Sequence, residues 1–214
     1  MTDIRQVIAS KLYQGEKEDV AQLVQQALDQ GMGPEEILSD TLMPGMDQVG
    51  QDFKAGELFV PEVLMAARAM KAGVSVLRPL LTGSDAAYVG TCIIGTAEGD
   101  LHDIGKNLVG MMLEGASFEV VDLGTDVGPG VFVEAVRERH ERHPKIVGMS
   151  ALLTTTMVNM KATIDALEEA GLRDTVKVMV GGAPVTEAFA QQIGADGYAS
   201  DAASAVEIAR SLIA

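Results

Sequence analysis

YVGTCIIGTAEGDLHDIGKNLVG, residues 88–110, reads as a strand that hands over to a helix across a loop holding a histidine. Tyr88–Gly95 is short, apolar and rich in β-formers. Ile104–Leu113 spaces its apolar residues as an amphipathic helix does. Between them, His102 stands two residues after Asp100 and directly before Asp103.

Downstream the same alternation repeats. FEVVDLG precedes a helix from about Pro129 to Glu141, and KIVGMSAL one from about Met157 to Ala170. KVMVGG comes before a helix near Glu187–Gln192, and DGYAS before a closing helix to Ile213. This is (βα)5, with strands written as continuous apolar runs, as strands buried on both faces are. Such a chain is expected to form a flavodoxin/Rossmann-like, doubly wound, five-stranded parallel sheet, with ligands bound beyond the carboxyl ends of its strands. Those ends read GTAEGDLHD, LGTDVGPG, SALLTTT, GGAPVT and ASDAAS, all rich in Gly, Ser, Thr or Asp.

Upstream, every periodic segment is helical. Ile4, Val7, Ile8 and Leu12 share one face, with Thr2 as a candidate N-cap. Val20, Leu23, Val24, Ala27 and Leu28 share another, closed by Gly31. Pro34 suits the first turn of a third helix, which Pro44 interrupts or restarts and which runs on to Lys54. Pro61 opens a Met- and Ala-rich helix reaching about Leu81. A four-helix bundle is the simplest arrangement. The composition changes over Leu81–Ala87, so the expected domains are a helical bundle at 1–84 and an α/β domain at 85–214, with that junction as a hinge.

The formal net charge of −15 argues against nucleic acid or an anionic membrane as partner. No apolar run is long enough to span a bilayer, and the N-terminus reads as a helix rather than a signal peptide. A single cysteine, Cys92, excludes an internal disulfide and fits a reducing, cytoplasmic setting. It stands mid-strand and reads as a small core residue.

Taken alone, His102 caps a helix or fills a loop more readily than it binds anything. The loop has neither the Gly-x-Gly-x-x-Gly of a dinucleotide site nor a P-loop. His140 and His143, in RERHERHPK, end a solvated helix and read as surface. No zinc site can be assembled from these residues. A metal that brings most of its own ligands, however, needs only one from the protein.

Asp100-x-His102-x-x-Gly105, then Ser150-x-Leu152 after 44 intervening residues, then Gly181-Gly182 after 28 more, resembles the cobalamin-binding signature Asp-x-His-x-x-Gly, Ser-x-Leu, Gly-Gly. The match extends through GDLHDIGKNLVG and SALLTTT. The segment VGQDFKAGELFVPEVLMAARAMK is similar to the helical cap of methionine synthase and of the corrinoid proteins of methyltransferase systems. The resemblance therefore covers nearly the whole chain.

It implies a cobalamin or related corrinoid cofactor whose benzimidazole has left cobalt, with His102 as the lower axial ligand through Nε2. Asp100 would hold the other ring nitrogen, and Thr156, where methionine synthase has serine, would extend the relay. The loop Gly99, Asp100, Leu101, His102, Asp103, Ile104 and Gly105 would meet the corrin, Gly105 by allowing close approach. Gly181 and Gly182 would open a slot for the nucleotide tail. Ser150 would hydrogen-bond its base, and Leu152, Thr154 and Ala202 match further cofactor contacts. Phe53 and Val60 match bulky residues set above the methyl group, although each in isolation reads better as bundle core.

The implied function is a corrinoid methyl carrier. It would accept a methyl group on Co(I) from a substrate-specific methyltransferase and pass it from methyl-Co(III) to a second methyltransferase with a folate or thiol acceptor. A reductive activation protein would be a further partner. On its own such a subunit is not an autonomous enzyme. A mutase cobalamin subunit, a cobalamin-based sensor or regulatory module, and a cofactor-free flavodoxin-like interaction domain remain alternatives. The bundle counts against the mutase. The absence of tryptophan and the negative charge count against the sensor.

Overall fold

The computed structural model describes residues 3–81, 88–139 and 145–214. The candidate cap Thr2, the histidines His140 and His143, the junction from Thr82 onward and the domain boundary at 84/85 lie outside them. The chain divides into two compact units, Met1–Val89 with Glu114–Ser117, and Gly90–Leu113 with Phe118–Ala214.

The first unit is helical. Helices α1 (Ile4–Tyr13), α2 (Lys17–Asp29), α3 (Pro34–Ile37), α4 (Met43–Ala55) and α5 (Val60–Leu77) follow one another. With Thr2 undescribed, the cap seen on α1 is Asp3, whose carboxylate accepts from the Arg5 amide. Helix α5 packs on α2 and α4, and α1 on α2 and α4. Ile8, Leu12, Val20, Val24, Val49, Val63 and Met70 fill the core between them.

Pro44 falls where the regular α-helix is interrupted and restarts, in the first turn of α4. Leu38–Leu42, just before it, forms a widened π-helical turn in which the Met43 amide reaches back to the Leu38 carbonyl. The backbone thus stays helical from Pro34 to Ala55. A proline cannot donate to the preceding turn, and a π-turn is one way for the chain to absorb that defect.

The second unit is a five-stranded, all-parallel sheet, counted over the described residues, in the order β2-β1-β3-β4-β5. Its strands are β1 (Gly90–Thr96), β2 (Phe118–Asp122), β3 (Lys145–Ser150), β4 (Val176–Gly181) and β5 (Gly197–Ala199). The helices between and after them are α6 (Ile104–Gly115), α7 (Pro129–Glu138), α8 (Asn159–Glu169), α9 (Glu187–Ile193) and α10 (Ala202–Ile213). One face carries Ile93, Val147 and Val178 in a cluster with Phe132 of α7, Met160 and Ile164 of α8, and Ile193 of α9. On the other face Ile94 lies against Gly110 of α6, and Ile208 of α10 against Gly197. Every residue of β1 is buried, whereas edge strand β2 buries only Phe118 fully.

This order places a switch point between β1 and β3, where connections leave in opposite directions and open a crevice at the strand ends. The loops after β1 and β3 carry Asp100–Gly105 and Ser150–Thr156.

Candidate functional site

Asp100 is fully buried although it is charged. The chain satisfies it with a set of donors drawn from two loops. Oδ1 accepts from the backbone amide of His102 at 3.0 Å and lies 2.7 Å from its ring Nδ1. Oδ2 accepts from the Leu152 amide at 2.7 Å, the Leu153 amide at 3.3 Å and the Thr156 hydroxyl at 2.7 Å. Burial pushes the Asp100 carboxyl up. The donations from Leu152, His102 and Thr156 outweigh it and hold the group well below the usual carboxylate range.

An ionised Asp100 fixes the histidine tautomer. A carboxylate only accepts, so His102 Nδ1 carries a proton and donates it, and in the neutral ring the lone pair then lies on Nε2. The His102 side chain is 54% exposed, so the ring stands out from the loop with its Nδ1 edge anchored. The arrangement is that of a histidine prepared to ligate a metal. Among the described residues no three His, Cys, Asp or Glu side chains come together to hold a bare ion. The burial that encloses Cys92 pushes its thiol up to about 12, which removes it as a ligand. The donor set therefore suits a metal that arrives with its own equatorial ligands.

Around His102 the surface is apolar. Leu101 is 73% exposed and Ile104 84% exposed, and Leu152 and Leu153 of the β3 loop are also exposed. A Cβ placed on Gly105 would meet nothing within 4 Å, and its φ is not positive. The protein itself gives no reason for glycine there, so the space fits a flat group lying on the first turn of α6. These features fit a corrin.

The glycines after β4 have a different origin from the one expected. A Cβ on Gly181 would lie 2.8 Å from the Ala199 carbonyl oxygen. One on Gly182, at φ +122°, would lie 1.9 Å from the Ala151 carbonyl oxygen. Both are imposed by neighbouring backbone, and the absence of side chains at this strand end follows from that packing. Ser150 ends β3 half-buried, and Thr154 is exposed in the loop beyond it. Ala202 is buried as the first residue of α10, whose N-cap is Asp201. In the helical unit, Phe53 is half-buried near the end of α4 and Val60 is exposed at the start of α5.

Several residues at the site carry no sequence signal of the signature type. The Thr96 hydroxyl donates to the His102 carbonyl at 2.8 Å and lies 3.2 Å from the Ser150 hydroxyl. Asp126, at φ 55°, accepts from the Gly99 amide through Oδ1 at 2.7 Å and donates its own amide to the Asp100 carbonyl at 2.9 Å. The Asn159 amide group donates to the Glu98 carbonyl at 2.8 Å. Buried Lys106 pairs with Asp122 at the end of β2, tying α6 to the sheet, while Asp103 accepts from the Asn107 backbone amide at 2.7 Å. The loop holding His102 is thus pinned from several sides. In the helical unit Phe59, the N-cap of α5, is 68% exposed beside Val60.

Comparison with known proteins agrees with this geometry. Residues 90–207 match the B12 binding domain, and residues 4–78 match a second B12 binding domain family. The dimethylamine corrinoid protein of Methanosarcina barkeri is 45% identical over 213 residues, 99% of this chain and 98% of that protein. Trimethylamine corrinoid protein 2 of Methanosarcina mazei is 49% identical over 193 residues, covering 89% and 87% respectively. Among solved structures, the methanol:cobalamin methyltransferase complex of Methanosarcina barkeri contains a chain that superposes with a TM-score of 0.85 at 34% identity, covering 99% of this chain and 80% of that one. The chain belongs to the family of B12-binding corrinoid proteins, and its cofactor is a corrinoid.

Proposed function

We propose that this chain is the methyl-carrying corrinoid subunit of a methyltransferase system. The observation that carries the proposal is the Asp100–His102 pair, with one ring nitrogen locked onto a buried carboxylate and the other free in an apolar, exposed setting. The names of the relatives, methylamine corrinoid proteins, support the same role. When bound, the corrinoid supplies a cobalt able to take up and release a methyl group.

The chain's own residues divide the remaining work. His102 offers Nε2 to the metal. Asp100 keeps its ring in one orientation and one tautomer, and its charge would favour a cationic form of the ring. Thr156 holds Asp100 from behind. Gly99, Leu101, Asp103, Ile104 and Gly105 form the floor on which the corrin rests, and Leu101 and Ile104 exclude water there. Ser150, Gly181 and Gly182 would receive the nucleotide tail, and Leu152, Thr154 and Ala202 would make further cofactor contacts. Phe53 and Val60, in the helical unit, would be the bulky residues that shield a bound methyl group.

The partners in this reading are a substrate-specific methyltransferase, a second methyltransferase with a folate or thiol acceptor, and a reductive activation protein. No helix among the described residues is long and apolar enough to cross a membrane. The test is reconstitution with cobalamin, reduction to Co(I), and methyl transfer screened over methylamines, methanol and methoxy-aromatics with their methyltransferases. Uptake from one donor class supports the carrier. Corrinoid binding without transfer from any donor favours a regulatory module.

A further inference from the structure

We infer that Thr96 is a positioning residue through which the nucleotide-tail slot and the His102 loop communicate. Thr96 is the last residue of β1 and is fully buried. Its single hydroxyl stands between two groups that the corrinoid reading assigns to different parts of the cofactor. One is the His102 carbonyl at 2.8 Å, on the loop that offers the metal ligand. The other is the Ser150 hydroxyl at 3.2 Å, which serves the tail base. The inference rests on that reading.

Counting protons gives the coupling. Thr96 has one hydroxyl proton and spends it on the His102 carbonyl. The contact between the two hydroxyls must then use the proton of Ser150, donated to Thr96 Oγ1. A displaced benzimidazole presents an unprotonated ring nitrogen, which only accepts. Once Ser150 turns its proton to that nitrogen, two hydroxyl protons face three acceptors, and one acceptor goes unserved.

The sheet decides which. Thr96 and Ser150 are paired across β1 and β3, and the next residue, Ala97, donates its amide to the Ser150 carbonyl at 2.9 Å. The two hydroxyl oxygens therefore cannot draw apart, and without a proton between them they would repel. Breaking the bond to the His102 carbonyl, by contrast, needs only a turn of the Thr96 hydroxyl and no movement of the pinned loop. Thr96 rotates its proton toward Ser150, and the His102 carbonyl is released when the tail is seated. A corrin without a tail leaves that carbonyl held.

The test uses the full chain reconstituted with hydroxocobalamin or with aquohydroxocobinamide, a corrin that has no nucleotide tail. Two quantities are measured: the dissociation constant for each, and the carbonyl ¹³C resonance of His102. In the wild type the His102 resonance should differ between the two complexes. Thr96→Val should make them coincide, and should raise the ratio of cobinamide to cobalamin dissociation constants about fivefold, the worth of one neutral hydrogen bond that the tail no longer competes against. Thr96→Ser should keep wild-type behaviour. Ser150→Ala should lower the same ratio and leave the His102 carbonyl held with both corrins, which tests the coupling even if Thr96→Val does not fold. Equal loss of affinity for both corrins in Thr96→Val, or one His102 resonance for both complexes in the wild type, overturns the coupling alone. Failure to bind either corrin overturns the corrinoid reading itself.

Discussion

The Thr156 hydroxyl lies 2.7 Å from Asp100 Oδ2, across 56 residues of sequence, and both residues are buried. It ties the loop after β3 to the loop after β1. Thr156→Val should cost about 1–2 kcal/mol, because the carboxylate loses a donor it cannot replace with water. Thr156→Ser should recover most of it. Urea unfolding of the cofactor-free protein reads both. Equal stability of Thr156→Val and the wild type would show that the hydroxyl does not support Asp100.

Asp100→Asn should destabilise the cofactor-free protein more, by about 2–3 kcal/mol, since an amide nitrogen would face donors now satisfied by carboxylate oxygen. The pH dependence has a definite sign. The Asp100 carboxyl is held below its unfolded value, so its contribution is fully present above about pH 4 and is lost as the pH falls through the folded value. The stability gap between wild type and Asp100→Asn should therefore narrow on acidification below about pH 4. Urea midpoints at neutral pH and at successively lower pH measure it. A gap that widens contradicts the assignment.

Two glycine substitutions should part company. Gly182→Ala drives a Cβ against the Ala151 carbonyl at a positive φ, and should cost more than about 3 kcal/mol or prevent folding. Gly105→Ala enters open space in a helix and should raise the stability of the cofactor-free protein by about 0.5–1 kcal/mol. Its cobalamin affinity should nevertheless fall at least about tenfold, the worth of one unfavourable contact near 1.4 kcal/mol. Thermal melts and cobalamin titration test the pair. Unchanged affinity in Gly105→Ala would show that no group lies over this turn.

Much of this arrangement can be read from the residues themselves. Parallel strands buried on both faces, such as IIG of β1 and KIVGM of β3, announce themselves as unbroken apolar runs, so the (βα)5 order and the strand-end loops follow directly. The edges are less legible. Tyr88 looks like strand, yet β1 begins at Gly90, because pairing with β2 and β3 rather than propensity sets where a strand starts. Pro44 signals a break in the regular helix but not the π-turn at Leu38–Leu42 that carries the backbone through it.

The site follows the same pattern. His102 and Asp100 stand out by residue type and spacing, and Thr156 only through the resemblance to the cobalamin-binding pattern. Thr96 does not, because a threonine ending a buried strand is an ordinary β-former until its hydroxyl is seen beside two loops. Asp126 is hidden for another reason. Its left-handed backbone, which lets it clamp Gly99 and Asp100, is a tertiary outcome that no local pattern encodes for a non-glycine residue.

In the proposed carrier, His102 Nε2 is the protein's ligand to cobalt. The most direct measurement is electron paramagnetic resonance of the Co(II) cobalamin-loaded protein, prepared with natural-abundance and with ¹⁵N-labelled histidine. A threefold nitrogen splitting that becomes twofold on labelling, and disappears in His102→Ala, is the expected result. A splitting that histidine labelling leaves unchanged would mean that the axial nitrogen comes from the cofactor's own base and that His102 is not the ligand.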